Sequence, residues 1–579
     1  MAAQFTYSRR QFWLVLCQCM LVSEVNASSV ETFSRVSPDA LIALSADNAQ
    51  QQLHQQAQQH ALEQRLATPE PDARTAKPSA AIPASGYPVE RPCFDFTQVK
   101  LDGKDSLPNR RALQRIVQAA QGRCLGQQGI NLLMRRLQNA LMEEGYITTR
   151  IVAPQQDLTQ GRLHLTVLPG KIRQIRPAPA TQPRVSLRSA FPRAAGQLLN
   201  LRDLEQGLEN LQRVPTVAVD MAIVATDQPG ESDILVNWQQ PRFWRLGLSL
   251  DDSGTRSTGR YQTAATVFID NPLTLSDSLY LNAGRSLRAR GGKGTHNYTG
   301  QYTLPTGYWL ARVTGSYNDY TQSIAGVNED YRYRGETQQF SLQVGRMIHR
   351  GTYHKTRLTG EIMLREAKNF IDDTAIDAQH RKTSAWKIAL NHQQNLNPFT
   401  LDIDASYQQG TRWFGALPAA EEFFDEATAL SRIVRLGAEL GVPFALGGQN
   451  FHYNLNYQQQ LTSTPLTPPE QFSIGGRWTV RGFEGERSLS ADQGWLVRNE
   501  WRWYTPLTAQ QLYLGIDYGQ LTGRTAFQPL GRRLLGSALG VRGTLGSFHY
   551  DAFLGVPLSY PAGFIEDKVT LGFTLNWYY

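Results

Sequence analysis

The feature that most constrains the fold is an alternation of apolar and polar residues that begins near Phe243 and continues to the end of the chain. The clearest stretches are residues 399–407, 451–457 and 569–579. Successive side chains of a β-strand point to opposite faces, so this pattern places one face in an apolar medium and the other in a polar one. The sequence therefore predicts a β-rich region, either a soluble sandwich or a membrane barrel.

The links between the alternating segments distinguish these two folds. About sixteen segments can be counted, each roughly 9–11 residues long, which suits a tilted strand that crosses a membrane. The short links are residues 305–307, 395–398, 506–509 and 546–547, and the long links are residues 319–337, 367–383, 409–430 and 461–493. Outer-membrane barrels alternate short periplasmic turns with long outer loops, whereas a sandwich has no reason to do so. We therefore predict a mainly β protein with a 16-stranded transmembrane β-barrel.

The polar face of the predicted barrel carries charged residues such as Glu361, Asp402 and Asp404. Such residues indicate a wet interior, since barrels of about sixteen strands leave an aqueous channel. An open channel of this width would leak, so we expect a plug. The candidates are an N-terminal helix and the longest loop.

Residues 1–27 are typical of a secretory signal peptide, with Arg9 and Arg10 before an apolar run and Ala27 at a small-residue cleavage site. No later apolar stretch is long enough for a transmembrane helix. Residues 28–67 contain a Gln- and Ala-rich helix, and residues 68–91 are a Pro-rich, extended linker.

Two small α+β units are predicted between the linker and the barrel, over residues 92–168 and 169–240. The order strand–helix–helix–strand–strand in the first unit predicts a small open sheet with an exposed edge. Signal cleavage leaves Cys93 and Cys124, and two cysteines in an exported chain most simply form one disulfide. The alternative is a metal site, for which two thiols without clustered histidines supply too few ligands.

Several function classes are disfavoured by what the sequence lacks. The net charge is +8, but Lys and Arg are scattered, which indicates solvated loops and a polar lumen rather than a nucleic-acid partner. There is no nucleophile-elbow motif, no His-Glu-x-x-His spacing and no phosphate-binding Gly-rich loop with a Lys. We therefore expect no enzymatic activity, no metal and no other cofactor.

The longest predicted loop, residues 461–493, contains a glycine-rich run with the stiff tip Val480-Arg481-Gly482-Phe483. A later strand has an apolar face that includes Leu514 and Ile516, so Asp517 should point into the lumen. From the residues alone, Arg481 could equally be an exposed loop cation and Asp517 one more lumenal charge.

The tip, followed by Asp517 and Gly519, resembles the signature of the POTRA-bearing outer-membrane barrels, a superfamily that includes the barrel-assembly insertases. Within it, the chain is most similar to the two-partner secretion transporters (the TpsB family), which export haemolysins, filamentous haemagglutinins and contact-dependent inhibition toxins. Further matching motifs lie at residues 92–94, 122–125, 145–150, 168–172, 201–205, 251–254, 258–260 and 270–272. The tip carries Phe483 where many relatives have Tyr.

The resemblance implies a concrete organisation. The α+β units should be periplasmic POTRA domains, in front of an outer-membrane barrel over residues 241–579. Arg481 should pair with Asp517 on the barrel wall, and the N-terminal helix should be a removable plug. The POTRA domains should capture an unfolded TpsA-type exoprotein by strand addition, and the barrel should export it without nucleotide hydrolysis.

Other roles remain open on the sequence alone. A membrane-protein insertase of the barrel-assembly type is the main alternative, and a passive porin is a weaker one because a simple pore needs no docking domains. Outer-membrane lipid and the barrel-assembly machinery, which could recognise the terminal strand over residues 569–579, are further expected partners. We expect the barrel to be monomeric.

Overall fold

The computed structural model describes residues 38–66, 72–73, 86–108, 110–179, 181, 184–287, 293–325, 330–524, 531–564 and 568–579. The predicted signal peptide and most of the linker lie outside the described residues. The chain divides into two compact units, residues 1–47 and residues 48–579. Apart from the bounds of the first helix, the description below concerns the larger unit.

The described residues contain five α-helices. They are α1 (Pro38–Leu66), α2 (Arg111–Ala120), α3 (Gln127–Glu143), α4 (Leu187–Ala190) and α5 (Leu201–Gln212). Among them, none combines the length and the apolar character that crossing a membrane requires.

The first α+β unit combines helices α2 and α3 with five short strands. They are β1 (Phe94–Phe96), β2 (Gln98–Asp102), β3 (Arg123–Leu125), β4 (Arg150–Val152) and β5 (Arg162–Leu168). Strands β2, β5 and β4 form one sheet in that order, and β1 pairs with β3. Helix α3 covers the sheet because Leu133, Leu137 and Leu141 recur every fourth residue on one face, where each is at most 1% exposed.

The predicted disulfide is confirmed, since Cys93 and Cys124 are bonded across a sequence separation of 31 residues. The bond joins the segments that carry β1 and β3. We expect Cys93→Ser to lower the free energy of unfolding of this unit by about 3–4 kcal/mol, because the open loop regains conformational entropy in the unfolded state. Hydrogen exchange of the β1–β3 amides in the full chain measures the loss. Reduction of the wild-type protein should reproduce it, and unchanged exchange would contradict it.

The second α+β unit contains the sheet β6 (Lys171–Pro177), β8 (Glu231–Gln239) and β7 (Ala218–Ala225), in that spatial order. Strand β8 lies in the centre and leaves β6 and β7 as edges. The Arg173 guanidinium donates to Asp233 with an Nε–Oδ1 distance of 2.7 Å and holds the pKa of that carboxyl well below its usual range. This pair fastens the irregular edge strand β6 to the central strand.

Helix α5 is buried along almost its whole length, charged residues included. Leu204 and Leu211 pack into the core of the second unit. The polar face meets the barrel: Asn210 donates to the carbonyl of Gly307 at 2.7 Å, and Tyr308 donates to Asp203. Burial, together with the Asp203 carboxylate, raises the pKa of Tyr308. The helix is therefore wedged between its own sheet and the barrel turns.

The barrel is closed by sixteen long antiparallel strands. They are β9 (Trp244–Asp251), β10 (Gln262–Asp270), β11 (Ser278–Ser286), β12 (Gly294–Thr306), β13 (Trp309–Ala325), β14 (Asp330–Arg350), β15 (His354–Ile371), β17 (Arg381–Asn395), β18 (Thr400–Thr411), β19 (Arg432–Leu446), β20 (Gln449–Thr462), β23 (Gln493–Tyr504), β24 (Gln510–Thr522), β25 (Arg533–Leu545), β26 (Phe548–Ser559) and β27 (Thr570–Tyr578). A two-residue strand, β16 (Thr374–Ala375), folds back on β15. The predicted 16-stranded barrel is confirmed.

The strand lengths differ from the sequence prediction. Strands β13, β14 and β15 have 17, 21 and 18 residues, well above the 9–11 expected. The predicted long link over residues 319–337 was wrong, because the β13–β14 ladder continues as far as Ala325 opposite Asp330. The extra residues exceed what a membrane crossing requires, so apolar alternation need not mark them.

The ring closes where β27 pairs with β9, from Thr574 opposite Asp251 to Tyr578 opposite Gly247. On β24, Leu514 and Ile516 are 44% and 36% exposed on the outer face. Asp517, the residue after Ile516, points to the opposite face and is 0% exposed. The wall therefore has a lipid-facing apolar side and a polar lumenal side.

Candidate functional site

The loop between β20 and β23 folds back into the barrel. It contains a short hairpin of β21 (Phe472–Ile474) and β22 (Leu489–Ala491), and the connection between these two strands carries the predicted tip. Ile474, Val480 and Leu489 pack against the wall residues Leu521 and Leu534. The tip thus lies against the inner wall rather than outside the cell.

Arg481 at the tip lies directly on Asp517. Its Nε donates to Asp517 Oδ2 at 2.7 Å, its Nη2 donates to Oδ1 at 2.8 Å, and its backbone N–H donates to Oδ2 at 3.0 Å. Arg481 is 4% exposed and Asp517 is 0% exposed. A two-pronged, charge-assisted contact of this kind fixes orientation as well as position.

A second acid, Glu500, completes the Arg481 site and was not anticipated from the sequence. Arg481 Nη1 donates to Glu500 Oε2 at 2.6 Å, and Arg502 and Arg542 also approach Glu500, at 2.7 and 3.2 Å. Strand β23 carries Arg498, Glu500 and Arg502 at period two, so all three face the lumen. The period-two spacing predicts that these side chains face the lumen, but it does not predict which lumenal acid contacts Arg481.

Glycines make room for the tip on both sides. A Cβ at Gly515 would lie 2.4 Å from Arg481 Nη2, and one at Gly536 would lie 1.9 Å from the Arg481 carbonyl oxygen. Gly482 has φ +103° and lies against Val556, so this position favours glycine for conformation and for space. Gly519 lies beneath the tip, where an added Cβ would be 2.9 Å from Ile474.

We expect Gly536→Ala to reduce the export that the family resemblance implies by about tenfold or more, because overpacking against a backbone atom costs roughly 1–3 kcal/mol and displaces the tip. The control is Gly315→Ala on β13, where an added Cβ would meet nothing within 4 Å. Export by both variants, normalised to barrel in the outer membrane, measures the effect. Equal export would contradict the tight fit described here.

The apolar members of the tip are also buried. Val480 is 0% exposed, and Phe483 is 4% exposed with edge-on ring contacts to Phe564 at 5.7 Å and Tyr560 at 6.4 Å. The Phe483 ring therefore needs no hydroxyl to be held in place. The tip is fixed by an apolar contact on one side of Arg481 and by carboxylates on the other.

A second anchor joins the loop to the seam of the barrel. Arg477 Nη2 donates to Asp252 Oδ1 at 2.6 Å, and the same carboxylate oxygen accepts from the backbone N–H of Phe573 on β27 at 2.9 Å. Arg256 pairs with Glu484 at 3.0 Å. The first hairpin, the last strand and the lumenal loop thus meet at Asp252.

Helix α1 runs through the same lumen from residue 48 to Leu66. Gln50 donates to Ser488 of the loop at 2.6 Å, and Gln58 donates to the carbonyl of Ser253 at 2.7 Å. At its other end, Leu66 packs with Phe268 and Tyr280 of the wall. Because the surrounding lumen is polar, it can hold a Gln-rich helix that has only a thin apolar face.

Space remains beside the helix in a cavity of about 820 Å³. Its lining is rich in charged side chains, among them Arg365, Arg435 and Glu470. The helix and the loop thus share the lumen with a polar cavity.

Family models match most of the chain. The model for "Haemolysin secretion/activation protein ShlB/FhaC/HecB" matches residues 230–543, and POTRA models match residues 94–170 (ShlB-type) and 171–225. The chain belongs to this haemolysin secretion/activation family. The predicted resemblance to the two-partner secretion transporters is confirmed, and the chain is an outer-membrane β-barrel transporter with POTRA domains.

Other members of the family resemble the whole chain. The outer membrane transporter CdiB-2 of Burkholderia pseudomallei is 33% identical over 93% of this chain and 95% of its own length. The haemolysin transporter ShlB of Serratia marcescens is 28% identical over 69% of this chain and 71% of its own length. The structure of CdiB from Escherichia coli superposes with a TM-score of 0.83 at 28% identity, covering 95% of this chain and all of that one.

Proposed function

We propose that this chain binds one dedicated TpsA-type exoprotein through its POTRA domains and exports it through its barrel, without nucleotide hydrolysis. The exoprotein would be of the haemolysin, adhesin or contact-dependent inhibition toxin type. The observation that supports this most is the construction of the lumen. A loop is locked to the wall by buried charges, whereas the helix beside it makes mainly neutral hydrogen bonds and can be removed at lower cost.

The POTRA domains offer one open sheet edge that suits strand addition. Among the residues that the structure describes, strand β7 pairs with β8 alone, and Ala218, Asp220, Ala222 and Val224 are exposed along it. Natural edge strands are usually blunted by Lys, Pro or bulges. Strand β7 has the sequence AVDMAIVA, with one charge and no proline, so an incoming extended chain can pair with it.

Site-specific crosslinking tests the capture step. A photoreactive side chain at Ala222 on β7 should capture the amino-terminal region of the exoprotein during export in cells. The matched control is the same group at the exposed Lys100 on β2, the edge of the other POTRA sheet. Equal capture at both positions, or none at Ala222, would contradict binding at β7.

Energy for export would come from folding of the exoprotein outside the cell, which removes the chain from the lumen in one direction. In this proposal the barrel acts as a monomer in outer-membrane lipid, assembled there by the barrel-assembly machinery. Neither nucleic acid nor an enzymatic step has a part in the proposed cycle.

A further inference from the structure

Two residues of the linker, Asp72 and Ala73, are docked between α5 and the turn that joins β14 to β15. The Asp72 carboxylate is 2.7 Å from Lys355 Nζ. The backbone N–H of Ala73 donates to Glu209 Oε1 at 3.1 Å, and its carbonyl accepts from Arg350 Nη2 at 3.1 Å. Ala73 is 7% exposed. We refer to Glu209, Arg350 and Lys355 as the clip.

The charges around the clip explain why an acidic residue is held there. Arg202 pairs with Glu205 at 2.8 Å, and Arg350 pairs with Glu209 at 2.7 Å. Lys355 shares the same Glu209 at 2.5 Å, so three buried cations face two acids of α5. Burial of an uncompensated cation is costly, and Asp72 of the linker supplies the third negative charge.

The groups that the clip contacts are not specific to the linker sequence. It uses one backbone N–H, the adjoining carbonyl and one carboxylate of its occupant. Any extended segment with an aspartate presents these groups in the same order. The clip also joins the second POTRA domain, through Glu209, to the turn end of barrel strands β14 and β15, where an exported chain would arrive.

The position of the linker couples the clip to the helix in the lumen. Five residues lie between Leu66 and Asp72, so the chain spans six Cα–Cα steps and the helix end can lie at most about 22 Å from the closed clip. The part of α1 from residue 48 to Leu66 is about 28 Å long. A closed clip therefore restrains the helix from leaving the lumen endwise.

We propose that the clip is a binding site for an extended acidic peptide segment, occupied at rest by the linker of the same chain. An acidic segment of the exoprotein that binds the clip displaces Asp72. The linker then no longer restrains the helix. The displacement step rests on the proposed function as an exporter. The peptide site itself does not, and it can be tested without any exoprotein.

A labelled nonapeptide with the sequence of residues 68–76 is the probe, and its binding to the purified full chain is followed by fluorescence anisotropy. The Asp72→Asn chain, whose own linker is loosened, should bind the peptide. Wild-type protein should bind it at least about tenfold more weakly, because a tethered competitor has an effective concentration in the millimolar range. The double variant Asp72→Asn with Lys355→Met should also bind at least about tenfold more weakly than Asp72→Asn, since the charge partner is gone.

Equal binding to all three proteins, or no binding to the Asp72→Asn chain, would overturn the proposal. Channel recordings in planar bilayers supply a second readout. Asp72→Asn should open more often than wild type, whereas Asp102→Asn, which breaks the Lys100–Asp102 pair at 2.9 Å on β2, should not. Equal opening by these two variants would also count against the clip. Because neither readout uses the exoprotein, the clip and the export function can fail separately.

Discussion

Arg481→Ala is expected to reduce export to less than about one hundredth of the wild-type level while the barrel still inserts in the outer membrane. The substitution leaves Asp517, which is 0% exposed, without its main partner. An uncompensated buried charge costs roughly 3–5 kcal/mol, and each 1.4 kcal/mol is about a factor of ten in an equilibrium. The docked tip then becomes the minor state. Secretion of the exoprotein, normalised to heat-modifiable barrel in the outer membrane, measures the effect.

Two controls separate geometry from charge. Arg481→Lys should fail almost as badly, because an ammonium group cannot reach both Asp517 oxygens and Glu500 together. Arg487→Ala removes an exposed cation of the same loop, which donates to the Gly563 carbonyl, and should leave export near the wild-type level. Normal export by Arg481→Ala would refute the role given to the tip.

Deletion of residues 28–67 is expected to raise the single-channel conductance several-fold and to make the current nearly continuous. The deletion removes a helix of about 10–12 Å diameter from a barrel whose strand number leaves a wide aqueous channel. The lumenal loop stays anchored at Arg481 and Arg477, so the pore should stay narrower than that of an open porin. Planar-bilayer recordings of the deleted and complete chains measure the change.

A milder variant provides the comparison for this deletion. The double substitution His54→Ala and Gln58→Ala removes two hydrogen bonds to the Ser253 carbonyl, each worth about 1 kcal/mol. It should increase how often the channel opens, while the fully open conductance equals that of the deletion. If the deleted chain conducts no more than the complete one, the helix is not the plug.

The barrel could be predicted because alternation and link lengths report a physical constraint that repeats along the whole wall. The face of Asp517 followed from Leu514 and Ile516 in the same strand. The sequence could not show that Glu500 shares Arg481, or that Arg477 reaches Asp252, since several lumenal charges satisfy the same alternation. Such pairings depend on how the strands are staggered around the ring, which no local pattern records.

The contact between the linker and the clip could not be predicted from the sequence. Asp72 stands in a Pro-rich segment whose composition indicates only an extended chain. Its partner Lys355 is distant in sequence and lies at the start of β15, while Glu209 lies on a helix whose burial on all sides was not evident from its pattern. Contacts of this kind arise from the docking of two folded parts.

Export of a TpsA-type exoprotein co-expressed with this chain tests the central claim most directly. Cells that lack the chain would be complemented with the wild type or with Arg481→Ala, and the exoprotein at the surface and in the medium would be measured together with total outer-membrane proteins. The transporter account predicts that export depends on the wild-type chain, fails with Arg481→Ala, and leaves other outer-membrane proteins unchanged. Export that persists without the chain, with outer-membrane proteins broadly misassembled, would contradict it and favour an insertase.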